Sequence, residues 1–246
     1  METIIFRHTD GEQAASFLPV LEKAGLRYRY VDAFYDDLSG FDALAPDLVI
    51  FMGGPMGVYQ ADIYPFLKHE MRIIEQRIAK DLPTLGICLG SQLIAGALGA
   101  KNYKGANGFE RGWRPIKVNA AGMKTPVRHL DAQHTMMVHM HQDTFELPRG
   151  ATLLASSEMY ENQAFSYGKN IIGLQCHPEM DERKIANWLA QSPDNITTGA
   201  VDPQKMQQDT RKYCATLVRQ TEKFLLEYLE QVSLMKAEIK HARNRP

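Results

Sequence analysis

The sequence predicts an α/β protein with a mostly parallel, doubly wound sheet that is flanked by helices. Two observations support this fold class. Strand-like and helix-like patterns alternate through the first ~100 residues. Residues 47–52 form an almost continuous apolar run that ends in Gly53-Gly54-Pro55, as is typical of a buried parallel strand leading into a functional loop.

The first half of the chain supplies the alternating elements in order. Each predicted helix has apolar residues at helical spacing, and each predicted strand is short and mostly apolar. Strands are predicted over residues 3–6, 27–34 and 47–52 and just before Cys88, and helices over residues 11–24, 65–80 and 91–98.

Beyond Gly99 the pattern changes to short segments separated by glycines and prolines, which indicates antiparallel strands and loops. Strands are predicted over residues 112–118, 151–156, 162–165 and 171–177, a helix over residues 181–190, and a long amphipathic helix from Pro203. We therefore expect a domain over residues 1–192 with a small antiparallel insertion. A helical C-terminal extension over residues 193–246 is expected to pack on that domain or on a second copy.

Composition narrows the class of function. The formal net charge of −1 gives no electrostatic reason to expect nucleic acid or an acidic membrane as a partner. The three cysteines have neither disulfide-framework nor C-x-x-C spacing, and the chain shows no signal-like start and no apolar run near ~20 residues. We expect a cytoplasmic protein with a small-molecule substrate.

Cys88 lies at a predicted junction between a strand and a helix. Gly86 and Gly90 flank it at the spacing of the G-x-S-x-G nucleophile elbow, with sulfur in place of oxygen. The N-terminal end of the following helix favours a thiolate. The pattern predicts a cysteine nucleophile, although a small buried cysteine at a glycine-rich turn would give the same spacing.

A cysteine nucleophile needs a base and a group that orients the base. In His177-Pro178-Glu179 the first and third side chains project to one side if the backbone is extended, and Pro178 disfavours helix at His177. We therefore predict the order Cys88, His177, Glu179. The alternative is a strand exit with a surface carboxylate, and Cys176 and Cys214 are expected to be core residues.

Gly53-Gly54 offers unobstructed backbone N–H groups at a strand end, as an oxyanion hole requires, with the N–H of Leu89 as the second donor. A simple glycine turn is the alternative.

The loop after residue 52 lacks the G-x-G-x-x-G spacing of a dinucleotide site. His139, His141 and Asp143 lack a further ligand pair, so we predict no metal.

The motifs Gly53-Gly54-Pro55, Gly86-Ile87-Cys88-Leu89-Gly90-Ser91-Gln92 and His177-Pro178-Glu179 together resemble the class I glutamine amidotransferases over about residues 47–188. Three further segments resemble the stand-alone, GMP synthase-like group of that family: Tyr64-Pro65-Phe66-Leu67, Glu110-Arg111-Gly112-Trp113 and His141-Gln142-Asp143-Thr144-Phe145 ahead of Leu147-Pro148.

The resemblance implies a flavodoxin-like sheet and a Cys-His-Glu triad at Cys88, His177 and Glu179. It also implies that Gln92 contacts the substrate, that Gly54 is an oxyanion donor, and that Gly53 belongs to the substrate-binding loop. The implied reaction is hydrolysis of the side-chain amide of glutamine through a cysteinyl thioester, with no metal or organic cofactor.

The acceptor of the ammonia stays open. No nucleotide-binding P-loop follows Gln191, so a separate synthetase is the expected partner. One alternative is a γ-glutamyl peptide hydrolase that uses the same residues, with Gln142 reshaping the pocket where the family more often has glycine. A second alternative is a non-catalytic interaction module that keeps the fold, and the apolar face of the C-terminal helix also allows a homodimer.

Overall fold

The structure is a computed structural model that describes residues 1–191 and 201–235. Its strands are β1 (Glu2–Arg7), β2 (Arg27–Asp32), β3 (Leu48–Phe51), β4 (Thr84–Ile87), β5 (Asn102–Lys104), β6 (Glu110–Arg114), β7 (Lys117–Val118), β8 (Met137–His141), β9 (Asp143–Phe145), β10 (Thr152–Ser156), β11 (Ala164–Tyr167) and β12 (Ile171–Leu174). Its helices are α1 (Phe17–Lys23), α2 (Phe66–Ala79), α3 (Leu89–Ala97), α4 (Glu182–Gln191) and α5 (Pro203–Gln231).

Within the described residues, the central sheet has eight strands in the order β2-β1-β3-β4-β12-β11-β10-β7. The first five of these run parallel to one another, and β11, β10 and β7 continue the sheet antiparallel. Two antiparallel ribbons, β5 with β9 and β6 with β8, stand apart from it. This confirms the predicted fold class. The carboxyl ends of β1, β3, β4 and β12 lie side by side, at the edge where open α/β sheets bind ligands.

The two faces of the sheet are buried by different helices, because successive strand side chains point to opposite faces. Ile5 of β1 and Ile50 of β3 belong to the core formed with α1, α4 and α5. Their neighbours Ile4 and Val49 belong to the core formed with α2 and α3. The sheet is therefore covered on both sides, as its apolar strand sequences require. No helix in the described parts of the chain is long and apolar enough to cross a membrane.

Helix α5 packs on the same chain along its buried face. Asp202 caps its N-terminus by accepting hydrogen bonds from the N–H groups of Gln204 and Lys205 at 2.9 and 3.1 Å. Two buried hydroxyls of the helix reach loop carbonyls: Thr221 Oγ1 donates to Pro178 O and Tyr228 Oη to Asn170 O, both at 2.7 Å. The predicted break at residues 192–199 and the end at residues 240–245 lie outside the described residues.

Two of the elements that differ from their predicted bounds do so for identifiable reasons. The helix predicted over residues 11–24 begins at Phe17 instead, because the Ser16 N–H donates to Glu179 O at 3.0 Å and ties the preceding segment to the sheet edge. The strand predicted over residues 112–118 is two strands. β6 pairs with β8 while β7 pairs with β10, so Pro115 and Ile116 carry the chain from one sheet to another.

Replacing Phe224, which is fully buried in α5, tests whether this helix is part of the cooperative core. We expect Phe224→Ala to lower the free energy of unfolding by about 3–5 kcal/mol, through lost apolar burial and the cavity left behind. The neighbouring exposed residue Lys223 provides a control. Lys223→Ala should change the free energy of unfolding by less than about 0.5 kcal/mol. Urea unfolding measures both, and equal effects would contradict the packing of α5 described here.

Candidate active site

Cys88 lies at the turn between β4 and α3, where its backbone is held in an uncommon conformation. Its φ of +52° is rare for a residue with a side chain. The Cys88 N–H donates to Leu174 O at 2.8 Å, and the Cys88 carbonyl accepts from the Ser91 hydroxyl at 2.7 Å. The helix therefore starts directly after the cysteine, two residues earlier than predicted, and Cys88 is its N-cap residue.

The two glycines beside Cys88 allow this turn by letting backbones approach closely. A Cβ atom on Gly90 would overlap the carbonyl group of Phe51, and one on Gly86 would lie 2.5 Å from the Gly90 oxygen. Only glycine fits at either position without moving β3 or α3. The spacing that the sequence showed around Cys88 is therefore required by packing.

His177 and Glu179 lie beside Cys88 at the end of β12. His177 Nδ1 lies 2.9 Å from Glu179 Oε1, so this nitrogen donates to the carboxylate and the other ring nitrogen is left for the Cys88 sulfur, to which His177 also hydrogen-bonds. The His177 N–H donates to Val138 O at 2.9 Å, which pulls the chain away from the sheet and towards β8. The structure brings the three predicted residues together.

Lys184, which the sequence reasoning missed, completes a buried charge network. Its Nζ atom lies 2.8 Å from Glu179 Oε1 and 3.3 Å from Glu12 Oε2, and the lysine is almost fully buried. A signal was available, because Lys184 lies one helical turn before Trp188, on the inward face predicted for this helix. A lysine on an apolar helix face needs an anion.

The pKa values of this network follow from burial and mutual attraction. Burial opposes ionisation of Glu179, but the Lys184 ammonium and His177 outweigh it and lower the pKa of Glu179 to about 2. Burial likewise lowers the pKa of His177, but the Glu179 carboxylate and the Cys88 sulfur raise it well above its ordinary value. Lys184 also has a raised pKa, because its two carboxylate partners outweigh its burial. The network is therefore charged at neutral pH.

The loop after β3 is held by a second buried pair, His8 and Glu70. His8 Nδ1 donates to the Gly53 carbonyl at 2.8 Å, and His8 Nε2 lies 3.0 Å from Glu70 Oε1. Both partners are acceptors, so each ring nitrogen has an oxygen to donate to. Burial lowers the pKa of His8, but Glu70 raises it above its ordinary value. In a trans peptide the N–H points opposite to the C=O, so fixing the Gly53 carbonyl directs the Gly54 N–H away from His8.

Gly54 and Leu89, the two predicted oxyanion donors, lie close to each other. A Cβ atom on Gly54 would lie 2.8 Å from the Leu89 side chain, and the Gly54 N–H donates to no residue that the structure describes. Leu89 is the first residue of α3, so its N–H has no acceptor within the helix. Gly54 and Cys88 line the same cleft.

Gln92 reaches Cys88 through a second glutamine that the sequence reasoning missed. Gln92 Nε2 donates to Gln175 Oε1 at 3.0 Å, and Gln175 Nε2 donates to the Cys88 sulfur at 3.5 Å. Gln175 precedes the histidine by two residues and shares its side of the chain. That spacing, together with the end of the predicted strand, was the available signal.

Cys88 stands where two arms of one cleft meet. The Gln92 arm, of about 330 Å³, is lined by Tyr59, Gln92, Lys104 and Asp143. The Trp188 arm, of about 560 Å³, is lined by Asp10, Glu12, His177, Met180 and Trp188. Both arms share Gly54, Pro55, Cys88, Phe109 and Met140 as walls. Of the predicted site residues, Gly53 lies behind the cleft, where its carbonyl contacts His8.

The histidine cluster that the sequence raised as a metal candidate is occupied by a side-chain amide, and the two other cysteines are core residues. His139 and His141 approach Glu110, with Glu110 Oε2 3.4 and 3.1 Å from their nearest ring nitrogens. The expected third residue, Asp143, offers only its backbone carbonyl to His141. Gln163 Nε2 donates to Glu110 Oε2 at 2.6 Å, so a hydrogen-bond donor points into the place an ion would need. Cys176 and Cys214 are buried, and burial raises the pKa of both thiols.

Comparison with known proteins finds relatives of this chain in sequence and in structure. A glutamine amidotransferase of Thermotoga maritima of known structure superimposes with a TM-score of 0.85 and 31% sequence identity, over 94% of this chain and 98% of that one. GMP synthase (glutamine-hydrolysing) of Bacillus pumilus is 34% identical over 162 residues, which are 65% of this chain and 29% of that protein. Gamma-glutamyl peptidase 5 of Arabidopsis thaliana is 35% identical over 102 residues, 40% of each chain.

These two relatives are matched over only part of their length, less than a third of the GMP synthase and less than half of the peptidase. The model of the class-I glutamine amidotransferase family matches residues 16–191, which include Cys88, His177 and Glu179. That match covers most of the chain, and the chain belongs to the class-I glutamine amidotransferase family.

Proposed function

We propose that this chain is a cysteine-dependent amide hydrolase that cleaves the side-chain amide of glutamine to glutamate and ammonia. The observation that carries the proposal is the contact of Cys88 with His177, which is itself held by the buried carboxylate of Glu179. A nucleophile, a base and an orienting group in this order are what acyl transfer needs.

The reaction would proceed in two steps at Cys88. The sulfur attacks the amide carbon, and the N–H groups of Gly54 and Leu89 stabilise the oxyanion that forms. The C–N bond then breaks, His177 gives its proton to the leaving ammonia, and the glutamyl group stays on the sulfur as a thioester. Water, deprotonated by His177, attacks the thioester and releases glutamate.

The charges of the Gln92 arm support a glutamyl substrate. Lys104 and Asp143 line this arm, and they match the α-carboxylate and α-ammonium groups of an amino acid. The hydroxyl of Tyr59 hydrogen-bonds Asp143. Gln92 lies between these charges and Gln175, where its side chain can position the rest of the glutamyl chain.

Lys184 has the role of a positioning residue in this mechanism, because it touches Glu179 and not the reacting atoms. By sharing Glu179 Oε1 with His177, it limits how strongly the carboxylate stabilises the imidazolium. An imidazolium that is stabilised less gives up its proton to the leaving group more readily. Lys184 would therefore tune the acid strength of His177.

A second candidate function is hydrolysis of γ-glutamyl amides larger than glutamine. The volume of the Trp188 arm favours it, because ammonia alone needs little room. The partial match to a gamma-glutamyl peptidase is consistent with the same chemistry. Alternatively, a separate synthetase would receive the ammonia, since the matched GMP synthase is described as glutamine-hydrolysing.

Cys88→Ala tests the proposed function directly. We expect ammonia release from glutamine to fall by at least about 10³-fold, because no other group can form the thioester. A diazoketone analogue of glutamine should add to the mass of the wild-type chain and not to that of the variant. Cys214→Ala, which removes a thiol buried in α5, is the control and should still be labelled. Hydrolysis by the Cys88→Ala chain would refute the proposal.

The role of Lys184 is tested by a double-mutant cycle with Glu179. Lys184→Met should lower the free energy of unfolding by about 3–5 kcal/mol, because it removes one of the two cations that stabilise the buried carboxylate. Adding Glu179→Gln should restore part of this loss. The double variant should therefore lose less than the sum of the two single losses, by more than about 1 kcal/mol. Lys205→Met, in an exposed pair with Asp209, should cost less than about 0.5 kcal/mol. Additive effects would exclude the coupling.

Acid stability provides a separate check on Glu179. Its pKa is about 2 in the folded chain and 4.5 ordinarily, so the unfolded chain binds the proton first as the pH falls. The stability it contributes is present above about pH 4.5 and is lost towards pH 2. Between pH 5 and pH 3, the wild type should lose about 2 kcal/mol more than Glu179→Gln. An equal loss of unfolding free energy in the two proteins between pH 5 and pH 3 would contradict this.

A further inference from the structure

If the proposed function is correct, the position of His177 determines which arm of the cleft holds the glutamyl part of the substrate and which holds the leaving group. The leaving nitrogen must lie near His177 when it takes the proton, and His177 lines only the Trp188 arm among the two arms described. The glutamyl part must then extend into the Gln92 arm. Whatever is attached to the leaving nitrogen lies in the Trp188 arm.

The Trp188 arm is too large for ammonia alone. Ammonia needs about as much space as one water molecule, ~30 Å³, whereas the arm measures about 560 Å³. That volume lies in the range of sites that hold whole organic ligands. A substituent on the leaving nitrogen would occupy it.

Carboxylates and apolar surface line this arm. Asp10 and Glu12 contribute the carboxylates, and Phe109, Met180 and Trp188 contribute most of the apolar surface. None of the described residues that line the arm is a lysine or arginine. This surface suits an ammonium group on an apolar spacer, through charge attraction and contact with aromatic rings.

Two basic side chains that approach these carboxylates, Arg7 and Lys184, are engaged more closely elsewhere. Arg7 lies 3.9 Å from Asp10, but it forms a much shorter pair with Asp32. Lys184 lies 3.3 Å from Glu12, but 2.8 Å from Glu179. Each of these cations therefore mainly neutralises another carboxylate. The His177 imidazolium, which also lines the arm, is paired with Glu179 at 2.9 Å, so the arm keeps an excess of negative charge.

From this geometry we infer that the preferred substrate is a γ-glutamyl amide whose leaving amine carries a second, cationic group. A leaving amino acid, which brings its own carboxylate, would be repelled by Asp10 and Glu12. The inference thus selects against ordinary γ-glutamyl dipeptides. The amide C–N bond breaks as for glutamine, the amine leaves with the proton from His177, and water frees glutamate from Cys88.

A series of γ-glutamyl amides that differ only in charge tests the inference on the full chain. The amines are 1,3-diaminopropane (cationic), propylamine (neutral) and 3-aminopropanoate (anionic), with glutamine as the reference. We expect kcat/KM for the cationic amide to exceed that for the neutral amide by at least about tenfold, and the anionic amide to be the poorest of the three. Raising the ionic strength should reduce the cationic preference, because salt screens the carboxylates.

Asp10→Asn provides the matched variant. It keeps the size of the side chain and removes a charge that does not contact the triad, so the ratio of cationic to neutral turnover should fall by about threefold. The ratio is an internal control, since a general loss of activity affects both amides equally. Loss of folding is checked by the unfolding midpoint.

The outcomes separate the inference from the proposed function. Equal turnover of the cationic and neutral amides, or a preference for the anionic amide, overturns the inference and leaves the hydrolase intact. Turnover of glutamine alone also overturns it, and assigns the Trp188 arm to a partner that receives ammonia. Hydrolysis of none of the four, with no labelling of Cys88, overturns both.

Discussion

The buried carboxylate of Glu179 is the interaction on which the site depends. Its side chain contacts His177 and Lys184, and its backbone carbonyl accepts from Ser16 ahead of α1. The carbonyl of the preceding proline accepts from Thr221 of α5. The start of α1, the adjacent helix α4 and the distant helix α5 thus converge on three residues after β12. A carboxylate removed from water in this way is stable only because the opposite charges are held in place by the fold.

The same principle applies on the other side of Cys88. The His8–Glu70 pair fixes the carbonyl of Gly53, and the peptide that follows is thereby oriented before any substrate binds. Donors that are already oriented need no reorganisation when negative charge develops on the substrate. Two buried acid–base pairs, one on each side of the cleft, therefore determine the geometry of the residues between them. Neither pair is a surface ion pair of low energetic value.

Much of the fold and part of the site could be predicted from the sequence. The alternation of apolar strands and amphipathic helices is a local property, and it was sufficient to predict the parallel sheet. The glycines around Cys88 and the two-residue spacing of His177 and Glu179 are also local. Lysine, by contrast, is almost always exposed to water, and only its position on an inward helix face distinguishes Lys184 from an ordinary surface lysine. His8 and Glu70 are 62 residues apart, and their contact depends on how α2 packs on the sheet.

The cleft walls come from two parts of the chain, which meet where the His177 N–H donates to Val138 O of β8. Cys88 and His177 are carried by the parallel strands, whose burial on both faces leaves them little freedom to change. Met140 belongs to the ribbon formed by β6 and β8, and Phe109 directly precedes it, outside the central sheet. Substitutions at Phe109 and Met140 can alter the shape of both arms without replacing a residue of the strands that precede Cys88 and His177. Relatives that share one chemistry can therefore diverge in substrate through the ribbon, and a redesign of selectivity should begin there.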